Sequence, residues 1–170
     1  MGFPADMPLI SICASARWES KRWPITRFTQ LAEQLYTHCG AGLIFVGSKS
    51  DTPAVREITA EKTYPYLDAT GKTSLRQLAE LTSRTRLMVT NDTGPMHIAA
   101  GTGVPTVALF GPTDPERTGS YGANHTVLQG NCTTITCGKR FCQKNHACME
   151  TISVPLVLES VKKVLNVCLQ

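Results

Sequence analysis

The 170-residue sequence has no apolar run long enough to cross a membrane as a helix. Such a helix needs about 20 consecutive apolar residues, and polar or charged residues interrupt every apolar segment sooner. Internal repeats and low-complexity tracts are also missing, and a hydrophobic content of 42% is too high for a disordered chain. The composition therefore predicts one globular domain with a core of its own.

Strong charge of one sign is missing as well. Basic residues exceed acidic ones only slightly, 17 against 13, and they are scattered without interleaved aromatic residues. This pattern argues against nucleic acid as a partner, and it leaves open a smaller anion bound at one focused site.

Several signatures of enzymatic sites do not occur. The sequence has no G-x-G-x-x-G, H-E-x-x-H or G-x-S-x-G motif, and no D-x-D pair to hold a metal–diphosphate complex. Gly71-Lys72-Thr73 looks like the end of a phosphate-binding P-loop, but Tyr66 stands where the first glycine of that motif is required. We therefore expect no cofactor.

An export signal is not apparent, because the first residues lack a basic start and an apolar stretch. The cysteines are then expected to be reduced. Four of them lie close together, at Cys132, Cys137, Cys142 and Cys148, and His146 lies among them. Their C-x4-C-x4-C-x5-C spacing fits the usual pattern of structural zinc sites only in part. We expect no metal, and a zinc-stabilised interaction module stays open as an alternative.

Six short apolar runs alternate with segments of helical periodicity. The runs are continuously apolar, which is typical of a parallel sheet covered by helices on both faces. We predict an α/β fold with a Rossmann-like, doubly wound parallel sheet. Strands are expected at residues 9–14, 43–46, 66–68, 86–90, 106–110 and 126–128, and helices at 24–39, 54–61, 74–81, 95–100 and 156–169.

The chain is interpreted as one domain over residues 8–170, which includes a Cys-rich loop at 130–150. Residues 1–7 are interpreted as a tail or as the remnant of an interdomain linker.

The most informative loop runs from Thr90 to His97 and joins a predicted strand to a predicted helix. Ligands of such sheets bind at the carboxyl ends of the strands, where free N–H groups at helix N-termini favour anions such as a diphosphate. Gly94 would let a ligand approach the backbone, and Asp92 would accept hydrogen bonds from sugar hydroxyls. The alternative is that Asp92 or Thr93 only caps the helix and that His97 packs against its neighbours.

Lys21 is the second candidate, because it lies beside Arg22 and Trp23 just ahead of a predicted helix. An ammonium group there would reach a phosphate as a point charge. The alternative is a solvated lysine, although its charge at a helix start is slightly unfavourable. Residues 111–117 are interpreted as a structural turn at the rim of the same crevice.

Four motifs together resemble glycosyltransferase family 9, the ADP-heptose:lipopolysaccharide heptosyltransferases. They are Lys21-Arg22-Trp23-Pro24, Gly71-Lys72-Thr73-Ser74-Leu75, Asn91-Asp92-Thr93-Gly94-Pro95-Met96-His97 and Leu109-Phe110-Gly111-Pro112-Thr113, in the family's order and spacing. The similarity covers about residues 8–167, and the Cys-rich loop and closing helix are similar to those of the heptosyltransferase II branch.

The resemblance implies the C-terminal, donor-binding half of an enzyme with the GT-B architecture of two Rossmann-like domains. It implies that Lys21 meets the donor phosphate, that Asp92 meets the heptose, and that Thr93 and Gly94 hold the diphosphate through backbone contacts. His97 would lie against the donor, Thr73 would line the nucleotide pocket, and Ser15 would contribute from the first loop. That loop, Ala14 to Trp18, departs from the Thr-rich or Gly-rich loop that is common in the family.

The implied reaction transfers L-glycero-D-manno-heptose from its ADP derivative to the lipopolysaccharide inner core with inversion. The general base and the acceptor site would belong to an N-terminal half, so no catalytic residue is expected here, and the chain alone is expected to be inactive. The expected location is the cytoplasm or the cytoplasmic face of the inner membrane. A GT-B transferase or epimerase that uses a UDP-sugar is the alternative within enzymes.

Overall fold

The structure, a computed structural model, describes residues 2–131, 137–142 and 147–166. Within those residues six strands form one sheet: β1 (Leu9–Cys13), β2 (Gly42–Phe45), β3 (Tyr66–Asp68), β4 (Leu87–Asn91), β5 (Thr106–Phe110) and β6 (His125–Gln129). All neighbouring strands are parallel, in the order β3-β2-β1-β4-β5-β6. This order is that of a Rossmann-like sheet, so the predicted fold class is confirmed.

The helices that connect the strands are α1 (Ile25–Cys39), α2 (Thr52–Ile58), α3 (Leu75–Ser83), α4 (Gly94–Gly101), α5 (Pro115–Thr118), α6 (Ala147–Glu150) and α7 (Val154–Leu165). The closing helix α7 begins two residues before the predicted start, because Ser153 caps it and accepts a hydrogen bond from the Leu156 amide. It ends at Leu165, because the left-handed conformation of the next residue, Asn166, stops the helix. The one-turn helices α5 and α6 fall in segments for which no helix was predicted.

Helices cover both faces of the sheet, which explains why the strands are continuously apolar. Buried side chains of α1, α2 and α7, among them Phe28, Val55 and Val157, form one core with residues of β1, β2, β4 and β5. Leu78 of α3 and Ala99 of α4 belong to a core on the other face.

Phe3 and Met7, in the segment 1–7 that was interpreted as a tail or linker remnant, lie against the start of β2. Phe3 packs on the core that includes Leu78. A Cβ atom at Gly42 would meet the Phe3 ring at 2.5 Å and the Met7 sulfur at 2.9 Å. The glycine at the start of β2 therefore makes room for this N-terminal segment.

Asn91, at the end of β4, joins the two central loops of the sheet. Its side chain is fully buried; Oδ1 accepts a hydrogen bond from the Trp23 amide (3.1 Å), and Nδ2 donates one to the Ala14 carbonyl (3.0 Å). Trp23 is itself fully buried, and its indole N–H donates to the Ile152 carbonyl (2.9 Å). These bonds fix the loop that follows β1 next to the loop that follows β4.

The loops after β2 and β3 meet at a glycine. The Gly71 amide donates a hydrogen bond to the Gly47 carbonyl (2.9 Å). Gly71 has a φ of +68°, and a Cβ atom there would lie 2.7 Å from the Lys49 Cα atom. Both the backbone conformation and the close approach require a residue without a side chain at this position.

We predict that Gly71→Ala lowers the free energy of unfolding more than Gly103→Ala does. Gly103 also has a positive φ (+76°), but a Cβ atom there would meet nothing within 4 Å. The Gly103 variant should cost about 1–2 kcal/mol from the backbone conformation alone, and the Gly71 variant about 1–3 kcal/mol more from overpacking. Urea unfolding of both variants measures the difference, and equal losses would contradict the packing argument.

Candidate functional site

The candidate site is a crevice at the carboxyl ends of the central strands. From β1 and β4 the chain continues to opposite sides of the sheet, which is where ligands of such sheets bind. A cavity of about 780 Å³ lies there. Its walls come from the loops after β1 and β2 and from the starts of α3 and α4: Cys13, Ser15, Ala16, Arg17, Arg22, Gly47, Ser48, Ser50, Asp51, Thr73, Ser74, Leu75, Leu78, Thr93, Gly94, Pro95 and Ile98.

The N-terminus of α4 forms one wall of this cavity and remains open. Thr93 is the N-cap, in an extended conformation and without a side-chain capping hydrogen bond. Within the described residues the amides of Thr93 and Gly94 have no acceptor. Gly94 is exposed, and a Cβ atom there would meet nothing within 4 Å. The alternative in which Thr93 caps the helix with its side chain therefore does not describe this end, which can receive an anion.

Two guanidinium groups line the same cavity, at Arg17 and Arg22. Both residues are exposed, and the Arg22 Nε atom donates to the Ala16 carbonyl (2.9 Å), which orients the group. Neither arginine was among the predicted site residues. The signal available in the sequence was their position in the loop after the first strand, close to the free amides of the next loop.

Lys21 and Asp92 form an ion pair beside this cavity. The Lys21 Nζ atom lies 2.6 Å from Asp92 Oδ2, which also accepts a hydrogen bond from the Thr113 hydroxyl (2.5 Å). The exposed fractions of the two charged side chains are 14% and 5%, so water screens the pair poorly. Lys21 also lies 4.6 Å from the centre of the Trp18 ring. Two residues that were predicted separately thus contact each other.

Both donors reach the same oxygen of Asp92. Within the described part of the chain no hydrogen bond reaches Oδ1, so this oxygen remains available as an acceptor. Thr113 belongs to the segment that was interpreted as a structural turn at the rim, and its hydroxyl now has a defined role in orienting Asp92.

The other predicted residues divide into two groups. Ser15, Thr73, Thr93 and Gly94 line the cavity, whereas His97 is exposed on α4 and does not contribute to the lining.

Cys13 and Asp51 also line the cavity, and the structure indicates that neither is a reactive group. Burial raises the pKa of the Cys13 thiol to about 11, so this cysteine stays protonated near neutral pH and is a poor nucleophile. The Asp51 carboxylate accepts hydrogen bonds from the Ser48 amide (2.7 Å) and hydroxyl (2.8 Å), which closes the turn after β2.

The zinc alternative falls partly on residues that the structure does not describe, because Cys132 and His146 lie outside the described ranges. Among the described residues no group of three or more His, Cys, Asp or Glu side chains is arranged to hold a metal ion. Cys137 and Cys142 are partly buried, and Cys148 is buried. No helix among the described residues is long and apolar enough to span a bilayer.

We predict that Lys21→Met lowers the free energy of unfolding by about 3 kcal/mol, because it leaves the buried Asp92 carboxylate without its counter-ion. The double variant Lys21→Met/Asp92→Asn should recover much of this loss. The exposed pair Arg84–Glu80, 2.7 Å apart, serves as the control, and Arg84→Gln should cost less than about 1 kcal/mol. Denaturant unfolding measures all three, and a Lys21 loss as small as the Arg84 loss would contradict the prediction.

The chain is similar in sequence and in fold to proteins of one known family. The family model for glycosyltransferase family 9 (heptosyltransferase) matches residues 2–148. The chain is 34% identical over 129 residues to lipooligosaccharide heptosyltransferase 2 of Haemophilus influenzae, and 37% identical over 119 residues to lipopolysaccharide heptosyltransferase 2 of Salmonella typhimurium. These alignments cover 73% and 67% of this chain but 37% and 34% of the two relatives.

The solved structure of E. coli ADP-heptose lipopolysaccharide heptosyltransferase II is also similar, with a TM-score of 0.81 and 29% identity. The superposition covers 96% of this chain and 48% of that one. The chain therefore spans between a third and a half of the relatives named here, and the expectation of one Rossmann-like half of a GT-B enzyme is confirmed. Because the family model covers most of its length, the chain belongs to glycosyltransferase family 9.

Proposed function

We propose that this chain is the donor-binding half of a heptosyltransferase and that its cavity binds ADP-heptose. The observation that carries the proposal is the open N-terminus of α4, where the Thr93 and Gly94 amides have no acceptor among the described residues and face a cavity lined by Arg17 and Arg22. N–H groups at a helix N-terminus together with guanidinium groups suit a diphosphate, since both donate hydrogen bonds to anionic oxygens.

The remaining walls suit the nucleoside. Ser48, Thr73 and Ser74 supply polar groups that can bind ribose hydroxyls, and Leu75, Leu78 and Ile98 supply apolar surface for a base. Leu75 is 76% exposed, which is high for a leucine at the mouth of a cavity and fits a side chain that packs against a ligand. ADP is the proposed nucleotide because the similar E. coli structure is that of an ADP-heptose lipopolysaccharide heptosyltransferase.

The heptose is assigned to the neighbourhood of Asp92. Its Oδ1 atom is available to accept hydrogen bonds from sugar hydroxyls, while Lys21 and Thr113 hold Oδ2. Lys21 would place a positive charge close to the bond between sugar and diphosphate, where negative charge develops as ADP leaves. The contact of Lys21 with the donor phosphate stays a prediction, and so does the contact of His97 with the donor.

In this proposal the chain stabilises the leaving group and supplies no general base. A hydroxyl of the lipopolysaccharide inner core would attack the anomeric carbon from the opposite face, so that the configuration inverts. The base and most of the acceptor site are assigned to a second domain, and the chain alone is expected to bind ADP without transferring heptose. The cytoplasm, or the cytoplasmic face of the inner membrane, remains the predicted location.

We predict that ADP raises the thermal unfolding midpoint of the chain more than UDP or GDP does at the same concentration. A ligand stabilises the folded state only as far as it binds that state in preference to the unfolded one. A thermal-shift series with the three nucleotides measures the ranking. A response to UDP alone would contradict the heptosyltransferase assignment and would favour a GT-B transferase or epimerase that uses a UDP-sugar.

We also predict that Gly94→Val weakens ADP binding at least about tenfold, or about 1.4 kcal/mol. The new side chain would fill the space through which the diphosphate approaches the amides. Gly101→Val is the matched control, because Gly101 lies at the other end of α4 and a Cβ atom there also meets nothing within 4 Å. Calorimetry should find unchanged affinity for the Gly101 variant, and equal affinities of the two variants would place the diphosphate elsewhere.

A further inference from the structure

A second, smaller cavity of about 280 Å³ lies beside the first one. Its lining consists of Arg17, Trp18, Glu19, Arg22, Arg140 and Phe141. Arg17 and Arg22 also line the larger cavity, so the two spaces share a wall of two guanidinium groups. A ligand in the smaller cavity would therefore lie next to a donor bound in the larger one.

The lining of the smaller cavity includes three arginines and one acidic residue, Glu19. In the parts of the chain that the structure describes, no carboxylate lies within ion-pair distance of Arg17, Arg22 or Arg140. A guanidinium group presents a planar set of donors that matches a carboxylate or phosphate with two parallel hydrogen bonds. This excess of unneutralised arginine favours an oxyanion as the occupant.

Aromatic surface lies among these charges. The Arg140 guanidinium is 5.6 Å from the centre of the Trp18 ring, and Phe141 is 71% exposed. An exposed phenylalanine beside cations suits a ligand that has both an apolar face and an anionic group. A sugar ring with an acidic substituent has this combination, since its C–H face packs on an aromatic ring while its polar groups reach donors at the edge.

The segment that supplies Arg140 and Phe141 is fastened to the rest of the molecule. Ser20 is buried and donates two hydrogen bonds to this segment. Its amide donates to the Arg140 carbonyl (3.2 Å), and its hydroxyl donates to the Lys139 carbonyl (2.6 Å). The Gly138 amide donates to the Pro112 carbonyl (2.8 Å). Residues 138–140 therefore hold a fixed position over the loop that follows β1.

We propose that this smaller cavity binds an anionic saccharide, meaning a sugar that carries a carboxylate or a phosphate group. The binding site itself follows from the residues above. Its assignment as a subsite for the charged part of the acceptor rests on the proposed function, because that assignment needs a donor in the neighbouring cavity. Arg140 would then contact the acceptor and leave donor binding unaffected, since it does not line the donor cavity.

The two tryptophans of the chain allow a direct test with the full chain. Trp18 lines the smaller cavity, whereas Trp23 is fully buried and its indole N–H is bonded to the Ile152 carbonyl. Titration with glucuronate or glucose 6-phosphate, followed by two-dimensional ¹⁵N–¹H NMR, should shift the Trp18 signal and leave the Trp23 signal in place. A Trp18→Phe variant assigns the two signals, and the probe that binds shows whether the carboxylate or the phosphate is recognised.

Two further probes separate the contributions of charge and ring. Neutral glucose and inorganic phosphate should each bind at least about tenfold more weakly than the better of the two acidic sugars. Phosphate that binds as tightly as the acidic sugars would contradict a saccharide site, and the absence of any Trp18 shift would overturn the proposal. Shifts of equal size at Trp18 and Trp23 would do the same, because they would indicate a change that is not local.

A pair of neighbouring variants provides the control. Arg140→Ala should lower the affinity for the acidic sugar at least about tenfold, whereas Lys139→Ala removes the same charge from a side chain that is exposed and outside the cavity lining. If both variants lost the same affinity for the acidic sugar, the loss would reflect only the change in net charge, which would contradict a specific binding site at Arg140. ADP affinity, measured on both variants, should remain unchanged. If the unmodified chain did not bind ADP, that result would count against the proposed donor site and not against the smaller cavity, so the two failures are distinguishable.

Discussion

The buried side-chain amide of Asn91 holds together the two loops on which the site depends. From the end of β4 it accepts a hydrogen bond from the Trp23 amide and donates one to the Ala14 carbonyl, both in the loop that follows β1, at the point where β1 and β4 lie side by side. Both backbone groups would otherwise be buried without partners, which is costly. Because Trp23 is also bonded to Ile152, the whole loop between β1 and α1 is tied to the core. The crevice is thus a fixed feature of the fold.

The fixed loops place two sources of positive electrostatic potential at this crevice. The first comes from the Thr93 and Gly94 amides at the start of α4, which stay open because Thr93 does not cap the helix with its own hydroxyl. The second comes from Arg17 and Arg22, which the clamped loop carries to the same cavity. Amides are part of the backbone and cannot move away, so in the proposed site they would set the position of the diphosphate, and the arginines would add charge.

The sequence was sufficient to predict the sheet, because continuous apolar runs are a local pattern. It also placed a helix start after Asp92, but it left open whether Asp92 or Thr93 caps that helix, and the structure shows no side-chain cap from Thr93. The sequence did not predict that Lys21 contacts Asp92, since these residues are 71 positions apart and meet only when β1 and β4 pair. The same applies to Ser20 and Lys139, which are 119 positions apart. Side-chain partners between distant loops depend on the exact path of each loop, and residue spacing carries no information about that path.

The Lys21–Asp92 pair is an expensive way to stabilise a domain. Two charges that are mostly removed from water lose much of their hydration, and apolar residues of similar volume often serve stability as well or better. The pair does, however, leave one Asp92 oxygen available while Thr113 and Lys21 fix the other. A carboxylate held in this way meets a ligand hydroxyl without first losing rotational freedom, which is the advantage of a preorganised site. The cost in hydration thus supports the proposal that the pair serves ligand binding.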